Sequence, residues 1–378
     1  MTSEERHEAR YRRRQAERQR RREERSRACG TFEEVFSFQN LYRAGKLCCK
    51  GVGWKGSTQR YLGDIISNTA KTRKALLEGK WKTKGFHEFN LMERGKLRHI
   101  RSVHISERVV QRCLCDNVLV PVFSAAFIYD NAASLKNKGV DFAMDRFNCH
   151  LQRHFRKHGL RGGILVFDFS DYFNSAPHGP IYRENARRVT DERVRAIANG
   201  LMEDFGPRGF GLGSQVSQID ALMLPNSLDH FIKEQLHIRG AGRYMDDGYL
   251  IHEDAAYLQV CMEAVVAKCQ ELGIRVNRKK TRIVKLGEAR FLKTKFLVTD
   301  TGKVVRKIQR KSARKMREKL KKFRRWVDEG TMTREDVRTS FESWSGHVRR
   351  GNSWKVLRRM NKYYRKLYGS GDWRDNHV

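Results

Sequence analysis

The sequence predicts an α+β fold with several lobes, and three observations carry that expectation. Two apolar stretches of strand type carry acids at their ends, "GGILVFDF" (162–169) and "GRYMDDGYLIH" (242–252). The segments between and after them repeat apolar residues at helical spacing. At 378 residues the chain is long enough for a large core and too long for one small domain.

The elements follow in chain order. Residues 1–28 hold almost no apolar side chains and read either as a disordered basic arm or as a solvated helix. "FHEFNLMERGKLRHIRSVHI" partly alternates around Gly95 and reads as a hairpin, with Lys96, Arg98 and Arg101 near its tip. In "ERVVQRCLCDNVLVPVF", Val109, Val110, Cys113, Leu114 and Val118 fall at helical spacing until Pro121, which is expected to stop the helix. "GGILVFDF" is a buried-type strand, and "GRYMDDGYLIH" reads as strand, tight acidic turn, strand. Between them "ALMLPNSLDHFIKEQL" is helical in pattern despite Pro225. "LQVCMEAVVAKCQELGI" is an amphipathic helix closed by Gly273, followed by a short strand at 274–276. "RFLKTKFLVTDTGKVVRK" reads as a further hairpin. The last segment is basic and helical, with Leu320, Phe323 and Trp326 marking one apolar face.

Charge narrows the class of partner. The formal net charge is +35, from 78 Lys and Arg against 43 Asp and Glu. Such an excess repels itself unless a polyanion lies on it, and nucleic acid is the polyanion that rewards Lys and Arg by releasing condensed counterions. None of the eight cysteines forms a C-x-x-C pair and no His pair follows at zinc-finger spacing, which argues against a structural zinc site. No signal peptide and no bilayer-length apolar run is found, so a soluble cytoplasmic protein with free thiols is expected.

In a chain this basic, acids at the ends of apolar strands need a cause. Asp168 follows Ile164, Leu165, Val166 and Phe167, and Asp246 and Asp247 stand side by side. Adjacent carboxylates repel, and a carboxylate at the end of a buried strand loses solvation. A shared divalent cation removes both costs. Magnesium suits this arrangement because it takes a few carboxylates and leaves its other positions to phosphates and water. Two such ions, about 3.5–4 Å apart, give the geometry of in-line phosphoryl transfer.

At these residues the chain resembles the reverse transcriptases. Tyr244-Met245-Asp246-Asp247 is similar to their Y-x-D-D box. "FDFSDYFNSAPH" (167–178) resembles the preceding polymerase box, and "GFGLGSQVSQ" (209–218) the box that shapes the pocket around the template base and incoming nucleotide. The three occur in family order. "NRKKT" (277–281), the hairpin at "FLKTKFLV" and the upstream "LRHIRSVHISERVVQ" match further elements, so the resemblance spans about residues 32–350.

The resemblance implies a right-hand polymerase with a basic flexible arm at 1–30, fingers at 31–160, a palm with antiparallel sheet at 161–300 and a helical basic thumb at 301–378. It implies Asp168, Phe169, Asp246 and Asp247 as the metal-binding set for two Mg2+ ions, with Mn2+ as a substitute. Asp168, Asp246 and Asp247 are the implied catalytic carboxylates, and Lys279 or Lys280 the acid that protonates pyrophosphate. Lys96 and Arg98 match fingers cations that hold the triphosphate. Phe173, five residues after Asp168, matches the bulky residue that blocks a ribose 2′-hydroxyl. Phe169, Leu212, Gly213, Ser217, Gln218, Tyr244 and Met245 complete the implied nucleotide-binding set. The implied partners are an RNA template, a DNA primer or RNA/DNA hybrid, and dNTPs.

The pocket box departs from the commonest form of the family. Most reverse transcriptases have Gln-Gly before its variable residues and Ser-Pro after them. Here Leu212-Gly213-Ser214-Gln215-Val216-Ser217-Gln218 gives an L-G-x-x-x-S-Q pattern. That form resembles the enzymes of diversity-generating retroelements, which copy RNA with frequent errors opposite adenine and work with a small basic accessory protein. It also occurs in other bacterial reverse transcriptases, some implicated in phage defence. Gly211 stands where many relatives carry Pro. A catalytically inactive RNA-binding scaffold is the alternative of another class, and the survival of all three carboxylates argues against it.

Overall fold

The computed structural model describes residues 2–93 and 96–369. The chain folds as two compact units, each assembled from three stretches of sequence. The first comprises Met1–Asn137, Asp168–Leu236 and Ala264–Asn277; the second comprises Lys138–Phe167, His237–Glu263 and Arg278–Val378.

The first unit opens with a helix, Ser3–Arg27, where the sequence alone read a flexible arm or a solvated helix. Almost without apolar residues, it draws its support from polar contacts. Thr2 and Glu5 form a capping box, and ion pairs such as Glu8–Arg12 (2.9 Å) and Glu17–Arg21 (2.7 Å) run along it. Its far end is fastened: the buried Ser26 hydroxyl lies 2.9 Å from the Thr190 hydroxyl and accepts the Thr190 N–H at 2.9 Å.

Strands β1 (Phe86–Glu93) and β2 (Lys96–Val103) form the expected hairpin, with Leu91 opposite Arg98 and Glu93 opposite Lys96. Gly95 lies outside the described residues. Arg101 is not near the tip. It sits opposite Glu88 and pairs with it at 3.1 Å, donates to the carbonyl of Phe205 at 2.8 Å, and lays its guanidinium over the Phe86 ring at 4.1 Å. That cation holds the hairpin to the 204–205 corner.

The helix Ile105–Leu114 does not stop at Pro121. It widens into a π-helical turn at Cys115–Leu119 and continues as Val120–Ser124. The Val120 N–H reaches back five residues to the Cys115 carbonyl. Pro121 enters where the helix restarts, a position at which a missing N–H costs least. Pro225 does interrupt: one helix spans Gln215–Met223, a second Asn226–His230, and a π turn follows. The strand expected at 274–276 reduces to one bridge, Val276 to Phe169.

The second unit carries a four-stranded sheet of order β4-β5-β3-β6, from β3 (Gly163–Asp168), β4 (Gly240–Tyr244), β5 (Asp247–His252) and β6 (Arg282–Lys285). β4 and β5 are antiparallel, with Tyr244 opposite Asp247, and β3 and β6 are antiparallel. The helix Val140–His158 covers the sheet. Its Phe147 ring meets Tyr249 edge-on at 4.5 Å and Phe296 at 4.7 Å. Phe296 belongs to a second sheet, β7 (Arg290–Phe291), β8 (Thr294–Val298) and β9 (Val304–Ile308), which contains the expected hairpin and one more short strand.

Three helices end the described chain: Arg310–Asp328, Arg334–Arg349 and Trp354–Tyr368. Their core joins Met316, Leu320 and Phe323 to Phe341, Met360 and Tyr364, with Phe341 stacked on Tyr364 at 4.7 Å. Trp326, expected on this apolar face, is 37% exposed at its margin, and Met316 takes the place in the core. Among the described residues no helix is long and apolar enough to cross a membrane.

Candidate active site

The acids sit where strand chemistry puts them. Asp168 closes β3 after an apolar run and is only 6% exposed. β3 lies next to β5, which opens on Asp247. The contact between these strands is close at this level. A Cβ added to Gly248 would stand 2.0 Å from the ring of Phe167, so the residue after the acid pair must lack a side chain. The main chain of Asp168 is also held, because its carbonyl accepts the Asn277 N–H at 2.8 Å.

The turn between β4 and β5 is strained at one residue. Met245 adopts φ 53°, a left-handed conformation uncommon for a side chain of its size. Arg243 supplies the fixing contact. It is 1% exposed, and its Nη1 donates to the Met245 carbonyl at 2.9 Å. Sequence reasoning missed Arg243; the only signal was a cation inside an otherwise apolar strand. Behind the turn, the Tyr249 hydroxyl lies 3.0 Å from His150 Nδ1, and Arg146 lies 3.2 Å from His150 Nε2. Gly242 leaves room for that hydroxyl, which would be 2.7 Å from a Cβ there. Burial pushes the Tyr244 phenol up, against the pull of Arg350.

In the first unit the two other boxes clasp each other. Phe210 donates its N–H to the Phe173 carbonyl (2.5 Å), Gly209 to that of Ala176 (2.8 Å), and the His178 ring reaches the Gly209 carbonyl at 2.7 Å. Gly209 has φ 92°, and a Cβ there would meet the carbonyl oxygens of Asn174 and Phe173 at 2.8 and 2.9 Å. Phe173 is half-buried, its ring 6.4 Å from that of Phe210 and 5.8 Å from that of Tyr172. Phe169 is buried beside Tyr172.

The pocket loop explains why Gly stands at 211. The Phe205 ring lies 1.8 Å from where a Gly211 Cβ would sit, and that ring is flanked by the Phe86 ring at 4.6 Å and by the Arg101 guanidinium at 5.6 Å. Gly211→Ala is expected to cost about 1–3 kcal/mol by overpacking, read as a lower thermal midpoint. An unchanged midpoint would show that Phe205 is free to move.

The remaining predicted residues divide by exposure. Ser217 is fully buried, and its hydroxyl accepts the Gly211 N–H at 3.0 Å, which commits it to holding the loop. Leu212 is half-buried; Gly213 (φ 104°) and Gln218 are exposed. Lys279, Lys280 and Arg98 are exposed. Lys96 opens β2, and its side chain lies outside the described residues. Among the described residues no group of three or more His, Cys, Asp or Glu side chains is gathered to hold a metal ion. The donors at the strand ends are nevertheless of the type Mg2+ takes. That ion is commonly held by one or two carboxylates together with substrate phosphates rather than by a cage made of protein alone.

The comparisons with known proteins bear on this arrangement. The family model for the reverse transcriptase (RNA-dependent DNA polymerase) matches residues 84–321. No curated protein sequence matches the chain. Among solved structures, the chain is similar to apo telomerase from Candida tropicalis truncated from its C-terminal domain, at 12% identity and a TM-score of 0.46, over 64% of this chain and 60% of that one. It is similar to telomerase from Candida albicans in complex with a TWJ fragment of telomeric RNA, at 12% identity and a TM-score of 0.46, over 81% of this chain and 61% of that one. The chain thus spans about six-tenths of the length of these telomerases, and likenesses at this level carry no argument about its activity. The family match covers more than half of the sequence. The chain therefore belongs to the reverse transcriptase family and shares its right-hand polymerase fold.

Proposed function

We propose that this reverse transcriptase makes error-bearing cDNA for a diversity-generating retroelement. The observation that carries the reading is the pocket loop, Leu212 to Gln218. Leu212 can only pack where most relatives place a Gln that can hydrogen-bond. Losing a positioned hydrogen bond weakens the rejection of a wrongly shaped base pair. Exposed Gly213 lets the backbone approach the substrate without a side chain between them.

In this reading Asp168, Asp246 and Asp247 hold the ions, with the Phe169 position completing the set. When bound there, two divalent ions (Mg2+, with Mn2+ as a substitute) supply activation of the primer 3′-hydroxyl and charge neutralisation at the triphosphate. Arg243 keeps the acidic turn in place from behind. Arg98 and Lys96 hold the phosphates of the dNTP, and Lys279 or Lys280 delivers a proton to pyrophosphate. Tyr244, Met245, Leu212 and Gln218 are the expected nucleotide-binding residues, and Ser217 acts by shaping the loop. Residues 31–160 serve as fingers, 161–300 as palm and 301–378 as thumb. A small basic accessory protein is the expected helper, and the cytoplasm the expected compartment.

Phe173 sets the sugar. Phe173→Ala is expected to reduce the preference for dNTPs over NTPs by on the order of 10²-fold, measured by competitive incorporation at a single template position. Unchanged sugar selectivity would make Phe173 a packing residue only.

The subtype is tested by primer extension on an adenine-rich RNA template with all four dNTPs, followed by sequencing of the cDNA. Errors concentrated opposite adenine support the retroelement role. Accurate cDNA removes that role and turns the enzyme toward defence or another retroelement.

A further inference from the structure

The N-terminal helix does more than end the chain: it forms one wall of a cleft of about 620 Å³ within the first unit. The opposite wall is the helix Gly179–Arg188. Eight Arg or Lys residues line the cleft against two Glu. From the N-terminal helix come Arg18, Arg21, Arg22 and Arg25, of which Arg21 is paired with Glu17 at 2.7 Å; Arg18, Arg22 and Arg25 are spaced four and three residues apart and so lie on one face. From the facing helix come Arg183, Arg187 and Arg188.

Two helices that turn guanidinium groups toward each other repel unless an anion lies between them. The acids nearby do not fill that need. Glu184 is shared by Arg187 (3.4 Å) and Arg188 (2.6 Å), and Glu234 lies 2.6 Å from His230. Glu17 and Glu24, on the N-terminal helix, pair with Arg20 and Arg21. Among the described residues, Arg18, Arg22, Arg25 and Arg183 have no carboxylate oxygen within 4.0 Å. Arg22 registers the crowding: burial first, then Arg187 and Arg188, hold its pKa below the usual guanidinium value, a pull that Glu184 opposes without reversing. A guanidinium cannot escape by losing its proton at neutral pH, so the repulsion persists. The Ser26–Thr190 contact keeps the two walls together in spite of it.

We propose that this cleft is a second nucleic-acid site, separate from the catalytic carboxylates, which grips a phosphodiester backbone between the two arginine helices. The ligand chemistry follows from the residues. Guanidinium forks match phosphate oxygens in pairs. From Arg18 to Arg25 the helix rises roughly 10 Å, the length over which one duplex strand presents about three phosphates. The partner class rests on the assignment to the reverse transcriptase family, whereas the test reads binding without synthesis and so stands apart from any catalytic role.

The full chain is titrated against a labelled RNA hairpin and against a DNA duplex of the same sequence, across a range of salt concentrations. The combined variant Arg18→Gln, Arg22→Gln, Arg25→Gln is expected to weaken binding at least about tenfold and to flatten the log–log salt slope by about three. Arg183→Gln with Arg187→Gln, on the facing helix, should act in the same direction by about two. The control Arg10→Gln, Arg13→Gln, Arg14→Gln removes as much charge from the same helix outside the cleft, and should change the slope by less than about one. A loss with RNA alone assigns the cleft to RNA, and a loss with both probes assigns it to either backbone. Equal losses from the cleft and control triplets would overturn the proposal, as would unchanged binding by both cleft variants. Selective loss of binding to poly-glutamate, with both nucleic acids bound as before, would overturn it in favour of an acidic protein partner.

Discussion

Asp246→Asn is expected to reduce DNA synthesis on an RNA template by on the order of 10³-fold or more, while RNA affinity stays within about twofold. The argument is electrostatic. Asp246 occupies a turn fixed by the left-handed Met245 and by the buried Arg243, and Asp247 follows it directly at the start of β5. In a chain of net charge +35, such a pair contributes nothing to holding phosphates and repels them. On the reading proposed above, its value lies in binding cations at the moment of transfer. Asn preserves the volume and the turn and removes the charge, so the loss should fall on turnover. Gel-based extension rates and RNA binding, measured on the same preparation, separate the two. Synthesis at the wild-type rate would remove Asp246 from the machinery.

How much of this was legible beforehand depended on the range of the interactions involved. The acidic strand ends and the hairpins at 86–103 and 294–308 were readable because alternation and turn chemistry are local. The sheet order β4-β5-β3-β6 was not, since it joins strands far apart in the chain. The same distance concealed that each compact unit draws on three separate stretches. Pro121 misled because a π turn precedes it and the helix restarts with the proline in its first turn, where a missing N–H is tolerated. Arg101 read as a loop-tip cation, and its commitment to Phe86 and Phe205 becomes visible only when residue 205 is brought beside the hairpin. Gly211 departed from the familiar pattern for a steric reason that sits in Phe205.

Asp220 carries the second large effect. It lies on the helix Gln215–Met223, fully buried, and among the described residues neither carboxyl oxygen has a hydrogen-bond partner. Burial pushes its pKa from 3.8 up to about 8. The folded state therefore binds a proton that the unfolded state releases, and stability is greatest below about pH 4 and declines as pH rises toward about pH 8. A shift of this size corresponds to a decline on the order of 5 kcal/mol. Asp220→Asn does not titrate. It should match the wild type near about pH 4, less a modest cost for a buried amide, and should be the more stable protein near about pH 8. Denaturant unfolding across that range checks it. Parallel pH profiles for the two proteins would mean that Asp220 is solvated or paired in the folded chain.

The central claim, RNA-directed DNA polymerisation by carboxylates at the ends of β3 and β5, is tested most directly by extension of a labelled DNA primer on an RNA template. Wild type and Asp168→Asn are compared with Mg2+ and all four dNTPs. The account predicts a product that survives RNase and is destroyed by DNase, formed by the wild type and lost in Asp168→Asn. Equal product from both proteins, or no product from the wild type on any RNA template, would contradict it.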